Sequence, residues 1–180
     1  MPILGILASS VPAAAGDYES IATVTVGSGG SSTITFSSIS ADYAHLQVRG
    51  WVQSTGTPQV RYRFNSDTGT NYTWHCLEGN GSSAGAQSAT TTNEMLIFVN
   101  GLIGANTPSP FVTDILDYAN TNKYTTIRTL HGGDNNSAGN VAFNSGLWRN
   151  TAAVNSITIA STGTAFSQYS TFALYGIKSA

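Results

Sequence analysis

The stretch YESIATVTVGSGGSSTITFSSI, residues 18–39, determines the fold class of this chain. On each side of a Gly/Ser turn at residues 27–32, Thr, Val, Ile and Phe alternate with other residues in a two-residue period. Such alternation places successive side chains on opposite faces of a strand, so it predicts two half-buried β-strands. The Gly-rich turn predicts that the two strands pair as a β-hairpin. The stretch contains no His or Cys and one acid, Glu19, so it predicts structure without catalytic chemistry.

Similar strand-like runs recur along the rest of the chain, with clusters of turn residues between them. No segment has apolar residues at helical spacing over the length of a helix. The runs are 45–54, 59–65, 72–77, 94–99, 111–118, 125–131, 140–148, 156–160 and 166–177, and residues 79–92 are predicted to be the longest loop. Together they predict an all-β fold of about ten strands, an antiparallel β-sandwich with jelly-roll-like connections.

The N-terminal segment MPILGILASSVPAAAG, residues 1–16, is predicted to be an extended arm, and residues 17–180 a single β-sandwich domain. The apolar run is shorter than the roughly 7–15 residues of a secretory signal and lacks its basic start, and a membrane span needs about 20 residues. The apolar side chains therefore need cover from protein, either from their own domain or, as we favour, from a neighbouring subunit. The arm residues predicted to form this interface are Ile3, Leu4, Ile6, Leu7 and Val11.

Charge is scarce in this chain. Charged residues make up 9% of it, against about a quarter of an ordinary soluble domain. Gly, Ser, Thr and Asn account for 78 of the 180 residues, a composition typical of extracellular and virion β-proteins whose surfaces are covered by neighbours. Seven Lys and Arg residues and a net charge of −2 provide no basic field for a phosphate backbone. We therefore expect no direct nucleic-acid binding, and no membrane partner.

No combination of residues has the spacing of a catalytic or metal site, so we expect no enzyme activity, no cofactor and no metal. Cys76 is the one cysteine, which excludes an intrachain disulfide, and the run YTWHCL around it predicts a buried thiol. The three histidines form no HxH or HxxxH pair and are expected to be structural or surface residues. The loops at 65–71 and 132–140 each hold one Asp, which turn formation explains more simply than calcium binding.

Two groups of side chains in predicted strands are candidates for contacts with other molecules. Arg61 and Arg63 share one strand face with apolar residues opposite, so they contact acids of a neighbouring subunit or lie on a solvated face. Tryptophans in strands favour core or interface positions, whereas exposed ones can stack on sugar rings. The candidates for aromatic contact are Trp51, Trp74 and Trp148.

A family resemblance extends over nearly the whole chain, from Ile3 to Lys178. It is carried, in order, by the apolar arm and by the segments YESIATVTVGSGGSSTITFSSI, AHLQVRG, RFNSDTGTNY, DILDYANTNKYTTIRTL, NSGLW and QYSTFALYGIK. These segments resemble a family of small structural proteins of tailed bacteriophages, including phages of cyanobacteria. Members are described as virion, capsid-decoration or tail-fibre-like proteins, and the family has no active-site residues to transfer to this chain.

The resemblance implies a place in the virion. The expected function is that of a non-enzymatic capsid decoration (cement) protein, a homotrimer that clamps adjacent major capsid subunits on the capsid exterior. The alternative is a tail or collar fibre component with carbohydrate- or receptor-binding loops. The expected partners are further copies of this chain and the major capsid protein or other virion proteins.

Overall fold

The computed structural model describes residues 16–98, 107–136 and 138–178, and these residues form two antiparallel β-sheets. The predicted all-β antiparallel sandwich is therefore confirmed. Twelve strands are present in these ranges, more than the number predicted. They are β1 Tyr18–Thr25, β2 Thr33–Phe36, β3 His45–Val52, β4 Gln59–Phe64, β5 Tyr72–Gly79, β6 Ala84–Thr92, β7 Met95–Phe98, β8 Ser109–Leu116, β9 Thr125–Asp134, β10 Gly139–Trp148, β11 Ile157–Thr162 and β12 Thr171–Ile177.

The strand order is that of a jelly roll with additional strands on one sheet. The larger sheet has eight strands in the order β1-β12-β3-β8-β9-β10-β5-β6, and the smaller has four in the order β2-β11-β4-β7. Without the two hairpins β5–β6 and β9–β10, two four-stranded sheets remain, β1-β12-β3-β8 and β2-β11-β4-β7, which is the jelly-roll arrangement. We call these eight strands the body. The strands β9, β10, β5 and β6, which extend the larger sheet beyond β8, are the extension.

Residues 18–39 form two strands as predicted, but the predicted hairpin is wrong. β1 pairs with β12 in the larger sheet, and β2 pairs with β11 in the smaller one. The turn between them carries the chain from one sheet to the other, with Gly30 at a φ of +68° that suits glycine. The alternating pattern assigns each side chain to a face of its strand but does not choose the strand's partner.

The main core lies between the two sheets of the body. Phe172 of β12 is fully buried, and its ring centroid lies 4.9 Å from that of Phe166 and 6.1 Å from that of Phe111. Gly50 of β3 makes room for this cluster, because a Cβ at Gly50 would lie 1.9 Å from the Phe111 ring. Phe111 and Phe172 of the larger sheet thus pack in the core with Phe166 from the segment before β12.

The largest departures from the predicted boundaries concern residues 79–92 and 166–177. The longest predicted loop, residues 79–92, contains the edge strand β6, which follows β5 after a short turn. Its Gly, Ala, Gln, Ser and Thr residues lack the apolar alternation that signals a strand, and backbone pairing with β5 defines it instead. The predicted strand 166–177 begins only at Thr171, since Phe166 precedes it in an isolated bridge position.

Candidate interaction surface

The outer face of the extension carries apolar side chains that are open to solvent. Leu77 of β5 is opposite Phe143 of β10, Phe143 is opposite Leu130 of β9, and Leu130 is opposite Val112 of β8. Paired residues of neighbouring strands share a face, so these four side chains form one line, which we call the apolar row. The exposed fractions of Leu77, Leu130 and Phe143 are 60%, 51% and 46%, and that of the adjacent Val141 is 57%.

Strand β10 shows how the sequence produces this surface. Its buried residues include Ala142 and Trp148, whereas Val141 and Phe143 point to the opposite, exposed face. A strand with one buried face needs apolar residues only at every second position, but β10 has apolar residues on both of its faces. The apolar residues on the exposed face are the sequence signal for this surface. None of them was among the candidate residues chosen from the sequence. Contiguous exposed apolar residues of this kind mark interaction sites.

The outer face of the body, next to the apolar row, is polar and ordered. The Arg49 guanidinium lies over the rings of Tyr18 and Tyr175, at 5.6 and 5.2 Å from their centroids. Arg49 Nε donates to Gln47 Oε1 at 2.7 Å, and Gln47 Nε2 donates to Asp114 Oδ1 at 2.7 Å. Stacking and hydrogen bonding fix these side chains relative to one another. The outer face of the larger sheet is thus polar over the body, and from β8 onward it carries the apolar row beside exposed polar residues such as Arg128 and His75.

The structure separates the three tryptophans proposed as aromatic contacts. Trp51 lies on the outer face opposite Pro110, where these two regions of the face meet, and its side chain is 58% exposed. Trp74 and Trp148 are buried, so neither can stack on an external ligand, and they occupy the core positions that the sequence favoured for tryptophans in strands. Trp148 also donates from Nε1 to Asp67 Oδ2 at 2.8 Å. Only Trp51 stays a candidate for aromatic contact.

Arg61 and Arg63 have an acidic partner in their own chain. Arg61 Nη1 lies 3.0 Å from Glu94 Oε1, and Arg63 Nη2 lies 3.2 Å from Glu94 Oε2. Glu94 immediately precedes β7, so the two ion pairs join β4 to the start of its neighbouring strand. A contact of these arginines with acids of a neighbouring subunit stays a prediction, and any such acid would compete with Glu94.

The predicted N-terminal interface lies outside the described residues. It comprises Ile3, Leu4, Ile6, Leu7 and Val11. The described part of the chain starts at Gly16, and β1 follows at Tyr18 on one edge of the larger sheet.

The groups with the greatest nucleophilic potential lie on the inner face of the extension. Cys76 of β5 is opposite Asn144 of β10, and His131 of β9 is opposite Ala142 of the same strand. Burial raises the pKa of the Cys76 thiol to about 11, with a further contribution from the charge of Glu78. Burial lowers the pKa of His131 to about 4. At neutral pH the thiol is protonated and the imidazole is neutral, the opposite of an activated thiolate–imidazolium pair. The predicted buried thiol is confirmed.

The loop at residues 65–71 is organised around the carboxylate of Asp67. This carboxylate accepts hydrogen bonds from Gly69 N at 2.8 Å, Asn71 Nδ2 at 3.0 Å and Trp148 Nε1 at 2.8 Å. Burial acts to raise the pKa of Asp67, but the hydrogen bonds from Asn71 and Trp148 hold it below its ordinary value. A calcium site turns several oxygen ligands toward the ion, whereas N–H donors surround this carboxylate. Within the described ranges, no group of three or more His, Cys, Asp and Glu residues could hold a metal.

No family model, curated protein or solved structure matches this chain. In the part of the chain that the structure describes, there is no helix of the length and apolar character needed to cross a membrane. The outer face of the larger sheet and the composition of the chain are therefore the features from which its function is inferred.

Proposed function

We propose that this chain is a non-enzymatic structural protein of a virus particle, a decoration protein that assembles as a homotrimer and clamps adjacent capsid subunits on the shell exterior. The observation that carries the proposal is the apolar row, which is open to solvent on a chain with only 9% charged residues. A surface that combines exposed Leu and Phe side chains with hydroxyl and amide groups suits permanent cover by neighbouring protein.

The fold and the sequence support this proposal in different ways. The jelly-roll strand order is shared by viral capsid proteins, lectins and cupins, so it is compatible with a virion role without selecting one. The virion context comes from the resemblance of the sequence segments to small structural proteins of tailed phages, which stays a prediction. The protonated Cys76 thiol and the donor-filled surroundings of Asp67 favour a structural role over a catalytic one.

A trimer presents the apolar row three times. Three rows held in one trimer bind a shell with greater avidity than a single row, without any new type of contact. Because the row is uncharged, its contacts depend little on ionic strength, unlike contacts made through exposed ion pairs. We therefore expect the protein to stay on the shell when the salt concentration is raised.

Reconstruction of the virus particle by electron cryo-microscopy tests the proposed location. The expected result is density for this fold at the three-fold positions of the shell exterior, with the larger sheet facing the capsid subunits. Density confined to the tail or collar would overturn the decoration proposal in favour of the fibre alternative.

Binding of the purified protein to shells tests the proposed surface. We expect Leu77→Ser/Leu130→Ser to lose shell binding, because the double change removes half of the apolar row. Tyr124→Ser is the matched control, since it removes an exposed aromatic side chain next to β9 but outside the row. Equal binding by the wild type and the double variant would show that the shell contacts another surface.

A carbohydrate-binding fibre component is the second candidate, and the position of Trp51 favours it. Trp51 is exposed on the outer face, on the same strand as Arg49 and Gln47, whose side chains the stacking and hydrogen bonds hold in place. Exposed aromatic rings beside ordered polar groups can bind sugars. Binding on a glycan array that Trp51→Ala abolishes would support this function, and an empty array would count against it.

A further inference from the structure

The edges of the two sheets differ in how they are protected against pairing with another chain. Native sheets protect exposed edges with short strands, charges, prolines or bulges. β2 and β7 have four residues each. β1 carries Glu19 and has a bulge between Ser20 and Ala22. β6 has nine residues, Ala84–Thr92, with no charge and no proline. Its register with β5 is regular over Ala84–Ala89 and shifts at a bulge before Thr92, so among the described edges this stretch of β6 is the longest regular one without a charge or a proline.

Apolar groups lie next to this edge on both faces of the sheet. On the outer face, Ala86 of β6 is opposite Leu77, which ends the apolar row. On the inner face, Ala89 packs against a small buried cluster that contains Trp74 and Leu96. A strand added beside β6 would therefore extend the apolar row on one face and this cluster on the other, provided that it carries apolar residues on both of its faces.

The segment of the chain that precedes Gly16 has this pattern. Residues 3–11, ILGILASSV, are nine residues without charge or proline, the same length as β6. In an extended conformation Ile3 and Leu7 lie on one face, and Leu4 and Ile6 lie on the other. Addition of such a strand to a free sheet edge satisfies the backbone groups of both and buries alternate side chains on each face.

The spacing of the strands excludes a pairing of residues 3–11 with β6 of their own chain. β1 and β6 are the two edges of the eight-stranded sheet, so seven strand spacings, about 34 Å, separate them. If residues 3–11 lie along β6, residues 12–17 alone connect Val11 to Tyr18, and these seven Cα–Cα steps span at most about 25 Å. The segment beside β6 is therefore assigned to a neighbouring copy.

We infer that residues 3–11 of one copy add as a strand to β6 of a neighbouring copy. Each copy then has one donor segment and one acceptor edge, so the contact is head-to-tail and a ring closes when the rotation between copies permits. A ring of three copies gives the homotrimer of the proposed function. The strand addition itself does not depend on binding to a shell.

Sedimentation velocity of full-length variants tests the strand addition. The edge variant Ala86→Lys/Ser88→Lys places two charges on the exposed side of β6, which is how native sheets protect an edge. The segment variant Ile6→Asp/Leu7→Asp places one charge on each face of the added strand. We expect both variants to sediment as monomers at concentrations at which the wild type is oligomeric.

A mixing experiment separates lost pairing from general damage. The edge variant retains its segment and the segment variant retains its β6, so equal amounts of the two should form a one-to-one heterodimer through a single contact. The matched control is Thr23→Lys/Thr25→Lys, which places two charges on exposed positions of the opposite edge strand, β1, and should stay oligomeric. Near-ultraviolet circular dichroism checks that each variant is folded. If the edge variant Ala86→Lys/Ser88→Lys is not folded, the single change Ser88→Lys replaces it.

Three outcomes would overturn the inference. In the first, the wild type is monomeric at every concentration. In the second, the edge variant and the segment variant do not combine. In the third, the segment variant stays oligomeric, which would indicate that β6 pairs with β6 of another copy. An oligomer that assembles as inferred but does not bind shells would contradict the proposed function alone.

Discussion

The strands of the body and of the extension both carry apolar side chains, but the two regions differ in how many of these side chains they bury. In the body, two sheets face each other, and side chains such as Phe172 and Tyr62 are fully buried between them. In the extension, the inner face contributes Tyr72 and Trp148 to that same core, and it also packs a smaller cluster around Trp74 along β7. Its outer face exposes the apolar row, whereas the outer face of the body carries ordered polar groups such as Arg49.

This difference indicates that the two regions have different purposes. The body buries its apolar side chains within one chain, which is what a stable domain requires. The extension contributes buried side chains such as Trp148 to that core, yet it keeps Leu77, Leu130 and Phe143 exposed to water, where they add little stability to the free chain. Apolar side chains in such positions gain free energy only when another surface covers them. The extension is therefore the part of the molecule that we expect to contact partners.

The largest expected effect compares one phenylalanine from each region. Phe172→Ala should lower the free energy of unfolding by about 3–5 kcal/mol, because it leaves a cavity beside Phe166 and Phe111. Phe143→Ala should lower it by less than about 1 kcal/mol, because water already reaches much of the Phe143 ring. Urea denaturation of both variants measures the two values. Similar losses would mean that the extension is packed as tightly as the body.

A pH dependence should arise from His131 on the inner face of the extension. Burial lowers its pKa in the folded chain to about 4, against about 6.5 for a free histidine. The unfolded chain therefore binds the proton first as the pH falls, so stability is complete above pH 6.5 and decreases toward pH 4. The loss reaches about 3 kcal/mol.

Paired histidine variants isolate this contribution. His131→Gln should flatten the decrease in the free energy of unfolding between pH 6.5 and pH 4. His75→Gln should leave it unchanged, since His75 lies on the exposed outer face. Urea denaturation at several pH values measures both. The assignment to His131 fails if His131→Gln keeps the full slope of the wild type.

The sequence predicted the strands better than their partners. Alternation over residues 18–39 identified β1 and β2 because each has one buried set of side chains. The error concerned pairing, since the Gly-containing turn that closes a hairpin can equally carry the chain to the opposite sheet. β6 was missed because it is exposed along most of its length, so no buried side chain leaves a periodic signal in Ala84–Thr92.

The candidate surface was less predictable than the fold. Trp51 and Trp148 both lie in strands, yet one is exposed and the other buried. Alternation in β3 groups Trp51 with the polar residues Gln47 and Arg49, whereas β10 has apolar residues on both faces, so alternation does not assign Trp148 to one of them. The apolar row depends on residues from four strands that are far apart in the sequence. In the sequence, each member is an ordinary strand residue. The row can be recognised only when the order of the strands in the sheet is known.

The smallest expected effect is on the stability of the apolar-row variant. Leu77→Ser/Leu130→Ser should change the free energy of unfolding by less than about 1 kcal/mol, because both side chains are largely exposed before the change. The two changes should be measured in a chain that also carries Ile6→Asp/Leu7→Asp, so that association between copies does not contribute to the free energy of unfolding. A loss of several kcal/mol would mean that the row is already covered within a single chain. The contrast between the buried core and an outer face built for contact would then no longer hold, whereas a small loss together with lost shell binding would make the row a contact surface.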